Sequence, residues 1–244
     1  MKFTQIAALC ALASTAAFTQ AAVWQDFSLS ALYGENYKAP FAAGNEKIDQ
    51  STITAEYAAG LKYGDIFAFA DRTNNDFGNE TYFEVAPRLS LGAVTGQKLE
   101  LGPIKDVLIA TTWEGNSGAS DFNNYLYGIG FALDIPYTSY ANINFYKADN
   151  DLQKDDYQMT ITYAVPFKIG GEEFLADAFL DWSTAEGPDH KSELNWTSQY
   201  KWNVGKHISP ETKLYLGIEH SIWNNKFGTD VDQHDVSALV KYHF

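Results

Sequence analysis

The sequence predicts an all-β protein: a single-chain transmembrane β-barrel of 12 antiparallel strands, with both termini on the periplasmic side of an outer membrane. Three observations predict it. Twelve segments alternate apolar and polar side chains with period two, the spacing of a strand and not of a helix. The chain carries 6 Trp, 15 Tyr and 16 Phe, yet its mean hydropathy lies on the polar side. Lipid against the outer face and water against the inner one reconcile those two facts. Past the N-terminus, no apolar run approaches the roughly 20 residues that a helix needs to span a bilayer.

The elements follow in order. Residues 1–21 read as a cleaved secretory signal peptide: Met1-Lys2 is the basic start, Ile6 to Phe18 the apolar run, and Thr19 and Ala21 the small residues before the cut. Cys10, the only cysteine, lies inside it, so the remainder has no disulfide or thiol chemistry. Residues 22–244 read as one domain, because no Pro/Ser-rich linker or composition shift interrupts the series.

Strands are expected at 26–36, 50–62, 64–72, 80–92, 104–115, 122–134, 137–148, 155–166, 172–183, 191–204, 211–222 and 234–244. In the tenth, Leu194, Trp196, Tyr200, Trp202 and Val204 share one parity, and Asn195, Thr197, Gln199, Lys201 and Asn203 share the other. The eighth sets Tyr157, Met159, Ile161 and Tyr163 against Gln158, Thr160 and Thr162, and the sixth sets Tyr125, Tyr127, Ile129 and Phe131 against Gly128 and Gly130. Tight connections at Tyr63-Gly64 and Ile135-Pro136 and a compact one over Pro166 to Gly171 alternate with longer polar ones at 37–49, 73–79, 184–190 and 223–233. Short turns on one rim and longer loops on the other are the habit of outer-membrane barrels. The 93–103 connection is long for its set. Rings near the strand ends, such as Tyr125, Trp182, Trp202 and Tyr242, suit an interfacial girdle.

The polar parity should line the bore. It takes Thr52, Thr54 and Glu56 from the second segment, Glu84 and Arg88 from the fourth, and Asn142, Asn144 and Tyr146 from the seventh. The third segment carries more information. Asp65, Phe67, Phe69 and Asp71 share a parity, and a carboxylate facing lipid is costly, so both rings should turn inward with the acids. The ninth repeats this with Asp177, Phe179 and Asp181. Rings flanked by carboxylates suit a solute with a flat π face and hydroxyl groups. Parity alone leaves a second reading open, in which the rings simply fill a narrow barrel.

The stretch Tyr82-Phe83-Glu84-Val85-Ala86-Pro87-Arg88-Leu89-Ser90-Leu91, followed by Leu101-Gly102-Pro103-Ile104-Lys105-Asp106, resembles the nucleoside-specific channel family of Tsx and OmpK. Asp65-x-Phe67-x-Phe69-Ala70-Asp71, Tyr127-Gly128-x-Gly130, Asp181-Trp182 and the Tyr242-x-Phe244 ending extend the resemblance over nearly all of residues 22–244. Ala86 departs from it, standing where the better-known channel has a second Glu. The resemblance implies a monomeric twelve-stranded barrel that takes nucleosides and deoxynucleosides, and outer loops used by bacteriophage. Independently of the family, the final strand, with Val236, Ala238, Val240, Tyr242 and the terminal Phe244 on one parity, resembles the recognition signal read by the bacterial barrel-assembly machinery.

The expected function is passive, selective uptake of nucleosides across the outer membrane of a Gram-negative bacterium. Phe67, Phe69 and Phe179 would stack the base, and Glu56, Asp71, Glu84, Arg88 and Asp181 would contact base edges or ribose hydroxyls. The alternative is a general or cation-preferring porin whose loops serve as a phage receptor. With 31 acidic against 17 basic residues, a formal charge of −14, the chain is unsuited to nucleic acid. An outer-membrane lipase would need a Ser and a His in register on the lipid face, and neither His207, His220 nor Ser221 has such partners. No cofactor is expected. The loop acids Asp149-Asn150-Asp151 and Asp230-Val231-Asp232 lack the Gly and Glu of a calcium loop and suit cation bridges to lipopolysaccharide.

Overall fold

Period-two alternation offers a strand two faces, and this chain curls until one of them faces inward all the way round. The computed structural model describes residues 22–118, 121–187 and 189–244; the expected signal peptide and Cys10 lie outside them. Twelve strands form a closed barrel in sequence order: β1 (Ala22–Lys38), β2 (Lys47–Leu61), β3 (Gly64–Asn75), β4 (Gly78–Ser90), β5 (Ile104–Ser117), β6 (Phe122–Leu133), β7 (Tyr140–Asp149), β8 (Asp156–Ile169), β9 (Glu172–Ser183), β10 (Glu193–Asn203), β11 (Lys213–Asn224) and β12 (Gln233–His243). Every neighbouring pair is antiparallel, and β1 closes on β12 with Ser30 opposite Lys241, so no sheet edge is left unpaired. With an even number of strands, both ends of the described chain lie on one rim, beside the β2–β3 turn.

Register carries the alternation around the ring, with irregularities near the ends of β1 (Ala22/Trp24 and Gly34/Tyr37) and at the start of β5 (Ile104/Asp106). On β12, Gln233, Asp235, Ser237, Leu239 and Lys241 are buried in the bore, while Val236, Ala238, Val240 and Tyr242 are exposed outside. The outer face shows Leu29, Ile53, Ile109, Ile129, Phe145 and Ile218, an apolar belt that only lipid can cover at this extent. Rings cluster toward its edges: Trp113, Tyr125 and Trp182 at one, Phe167, Trp202 and Tyr242 at the other.

The connections differ from expectation in three places. The 73–79 stretch is no long loop. β3 and β4 run on to pair Asn75 with Gly78, leaving two residues between them, because polar Thr73, Asn74 and Asn79 pair as well as apolar residues do at a wet rim. The expected tight turn at Ile135-Pro136 is a six-residue connection with Tyr137 in a left-handed conformation (φ 70°), and β7 begins only at Tyr140. The long 93–103 connection starts with a helical turn, α1 (Leu91–Thr95), so β4 stops at Ser90 and Leu91 is not on a strand. The Ser90 hydroxyl accepts from the Ala93 amide (2.9 Å) and itself donates to Asp106, whose carboxylate also takes the Gly92 amide (3.1 Å). This cap stops the strand. The contrast between rims is therefore weaker than the sequence suggests.

Candidate functional site

Inside the barrel, register brings together rings that are far apart in sequence. Phe69 on β3 lies opposite Glu84 on β4, and Asp71 lies opposite Tyr82, so Phe67, Phe69 and Tyr82 share one patch of wall. Their centroids stand 5.9 Å (Phe67–Phe69) and 5.8 Å (Phe69–Tyr82) apart, and a fourth ring, Phe122 at the start of β6, follows Tyr82 at 6.3 Å. All are tilted contacts within the range of favourable aromatic pairs. The ladder climbs from near the β2–β3 turn toward the opposite, long-loop rim. Phe67 is 42% exposed although it points inward, so its face is open to the bore. Phe179 also points inward, on β9, six staves round the ring from β3 and hence on the opposite wall.

The charges of the bore divide by height. Toward the termini, each basic side chain is paired. Arg88 makes a two-pronged contact with Asp65 (2.8 Å to each oxygen), Lys201 meets Asp177, and Lys241 meets Glu56. Arg88 also reaches Asn144 on β7 (3.4 Å), three staves away. It can do so because the intervening walls are small there: Ala110 on β5 and Gly130 on β6, where a Cβ would collide with the Asn144 amide oxygen. This bridge narrows the bore. Higher up, Asp71, Glu84, Glu114, Asp181 and Glu219 line the wall, and among the described residues none of them has a Lys or Arg within 4.0 Å. They are held by neutral donors instead: Thr54 to Asp71 (2.6 Å), Tyr82 to Glu84 (2.8 Å), Thr160 to Asp181 (2.5 Å) and Gln199 to Glu219 (2.8 Å). Glu84 and Glu114 are directly opposite in register. Acceptors with free lone pairs, beside stacked rings, can receive the hydroxyl and amino protons of a neutral solute.

At the long-loop mouth, Lys226 from the β11–β12 loop folds back into the bore. Its ammonium donates to the Lys38 carbonyl (2.8 Å) and the Gln233 amide oxygen (2.7 Å). Burial pushes its pKa down to about 7, against the upward pull of the Asp235, Glu193 and Glu80 carboxylates.

All eight residues expected from sequence point inward, but in different states. Phe67, Phe69, Asp71 and Glu84 form one patch, whereas Phe179 and Asp181 lie across the bore. Glu56 is occupied by Lys241 and Ser28 (2.9 Å), and Arg88 by Asp65. Tyr82, Glu114 and Phe122 are additions. Parity with Glu84 would have found Tyr82, and one more step of the β6 alternation would have found Phe122. Of the pieces weighed for a lipase, Ser221 faces the bore and His220 the outside. The loop acids Asp151 and Asp232 accept backbone amides from Asn123 (3.2 Å) and Asn225 (2.8 Å), which fixes loop shape.

A closed barrel with an apolar belt outside and a polar, ring-lined bore inside defines a channel-forming outer-membrane protein. Residues 23–244 match the family model described as nucleoside-specific channel-forming protein, Tsx, and the chain belongs to that family, one of channels and not of enzymes. Outer membrane protein OmpK of Vibrio parahaemolyticus is 27% identical over 180 residues, covering 69% of this chain and 66% of that protein. The nucleoside-specific channel-forming protein Tsx of Klebsiella pneumoniae is 24% identical over 165 residues, covering 60% and 53% respectively. The chain thus spans about half to two thirds of the length of these curated relatives. Among solved structures, the KdgM porin aligns with a TM-score of 0.48 at 10% identity, over 89% of this chain and 99% of that one.

Proposed function

We propose that this channel carries nucleosides and deoxynucleosides passively and selectively across the outer membrane. The observation that carries the reading is the ladder of Phe67, Phe69, Tyr82 and Phe122 on one wall of the bore, flanked by Asp71 and Glu84. A base stacks on successive rings as it moves, so it never loses one partner before gaining the next. Asp71, Glu84 and Asp181 accept from ribose hydroxyls and exocyclic amines, and Phe179 meets the base from the opposite wall. Glu56 and Arg88 act from within their ion pairs, shaping the bore more than touching the solute.

In this reading residues 1–21 are removed on export and the rim bearing both termini faces the periplasm. The barrel is a monomer. The loops contact lipopolysaccharide and can be used by bacteriophage. Phe244, 69% exposed and resting its ring edge on Tyr242, is the mark read by the assembly machinery.

The test is current through single channels in planar bilayers. Adenosine or thymidine at millimolar levels should interrupt the current while ribose does not. Unchanged current removes the nucleoside claim. The carboxylate-rich upper bore favours a second reading, a cation-preferring porin without solute selectivity. Equal permeation of sugars and nucleosides of similar size would favour that one.

A further inference from the structure

The ladder begins inside the barrel, yet another pair of rings stands above it, at the long-loop mouth. Phe41, at the tip of the β1–β2 loop, and Phe227, in the β11–β12 loop, face each other with centroids 6.0 Å apart and planes within 15°. Phe41 is 78% exposed and Phe227 is 40% exposed. Two features separate this pair from loose rings on a mobile loop.

The first is strain. Phe227 has φ 55° and ψ 37°, a left-handed conformation that a bulky side chain adopts only under constraint, and Asn225 beside it has φ 51°. The second is the set of contacts that impose it. Glu193 accepts both the Phe227 amide and the Trp223 indole N–H at 2.8 Å each. The Lys226 amide donates to the Val231 carbonyl (2.7 Å), and the Asn225 side chain donates to the Ser192 carbonyl (2.9 Å). The Lys226 ammonium lies 4.8 Å from the Trp223 ring centre and 5.2 Å from that of Phe227, wedged beneath both. Trp223 meets Phe227 edge-on at 4.7 Å. Opposite, the Ala42 and Ala43 amides both donate to the Ala39 carbonyl, a tight turn that sets Phe41 at the loop apex. Two loops from adjoining staves are thus built to hold two rings parallel and in water, where burial would ordinarily take them.

We propose that Phe41 and Phe227 form an entry site for the flat heteroaromatic ring of the solute, separate from the ladder and met before it. The inference rests on the nucleoside reading of the bore. The two rings already stack on each other, and the outer face of the largely exposed Phe41 is free to take a third ring, that of the solute. Such a site raises the rate at which solute is captured without lengthening its stay inside, because the ladder determines the stay.

The experiment is single-channel recording with adenosine added on the long-loop side, reading the frequency and duration of current interruptions separately. Phe41→Ala removes the stacking face. Phe227→Gly removes the ring that backs it and suits the left-handed backbone, so the loop keeps its fold. Each should lower the interruption frequency about fivefold with duration unchanged, whereas Phe69→Ala should shorten the duration. A double variant, Phe41→Ala with Phe227→Gly, whose interruptions are as frequent as in the unaltered channel overturns the entry site and leaves the ladder standing. Adenosine that never interrupts the unaltered channel overturns both.

Discussion

Phe69 is the side chain on which the transport reading turns. It is the one ring of the ladder with an aromatic neighbour on each strand of the β3–β4 pair, Phe67 at 5.9 Å and Tyr82 at 5.8 Å. Replacing it by Ala breaks both contacts and leaves Phe67 isolated from the Tyr82–Phe122 pair, while Asp71 and Glu84 keep their partners. A base stacked on an aromatic side chain is stabilised by about 1–3 kcal/mol, so a site losing one ring of several should bind about tenfold more weakly. The assay is titration of current block with adenosine, from which a dissociation constant follows. The control is Phe131→Ala, which removes a ring of the same size from the outer face, where Phe131 touches Phe145 at 6.4 Å. Block by adenosine should be unchanged in that variant. If Phe69→Ala and Phe131→Ala shift the constant alike, or neither shifts it, the rings of the bore are packing and not a binding surface.

Three further outcomes follow from the same geometry. Arg88→Ala removes the bridge to Asp65 and Asn144, so the bore should widen and single-channel conductance in potassium chloride should rise; an unchanged or lower conductance would remove Arg88 from the constriction. Converting Glu84 and Glu114 together to Gln replaces two facing carboxyl groups that have no basic partner, so the negative charge they share leaves the upper bore; the reversal potential in a salt gradient should move toward lower cation preference, with a static potential as the contrary result. Lys226 gives a pH dependence. Its pKa is depressed to about 7 in the tucked loop and is ordinary in water, so folding the loop favours the neutral amine. The cost of tucking is absent above the ordinary lysine pKa, grows as pH falls toward 7, and is complete below that. Between pH 7 and 9 the tuck should gain roughly 2 kcal/mol, read as increased protection of the Lys226 amide once intrinsic exchange is corrected for. Flat protection across that range would contradict it.

Much of this was legible in the sequence, for a physical reason. A strand has two faces, and a charged residue fixes which one is wet, so the parity of Asp65 and Asp71 placed Phe67 and Phe69, and that of Asp177 and Asp181 placed Phe179. Three things were hidden. Ion-pair partners depend on register between strands: Arg88 looks toward Glu84 in sequence, yet Asp65 stands opposite it. The helical turn after Ser90 was masked because Leu91-Gly92-Ala93-Val94 continues an apolar pattern, and its stop signal is Asp106, which lies on the next strand. The loop clasp of Phe41, Trp223 and Phe227 joins the two ends of the chain, and no local pattern in either half announces it.

The central claim, that the ring-lined wall is where a nucleoside sits, has a direct test in crystals soaked with 8-bromoadenosine and measured at the bromine absorption edge. The account predicts an anomalous peak inside the bore, against Phe67, Phe69 or Tyr82 and within reach of Asp71 or Glu84. Bromine found only on the outer face or nowhere in the bore, in crystals where the ladder is open to solvent, would contradict it.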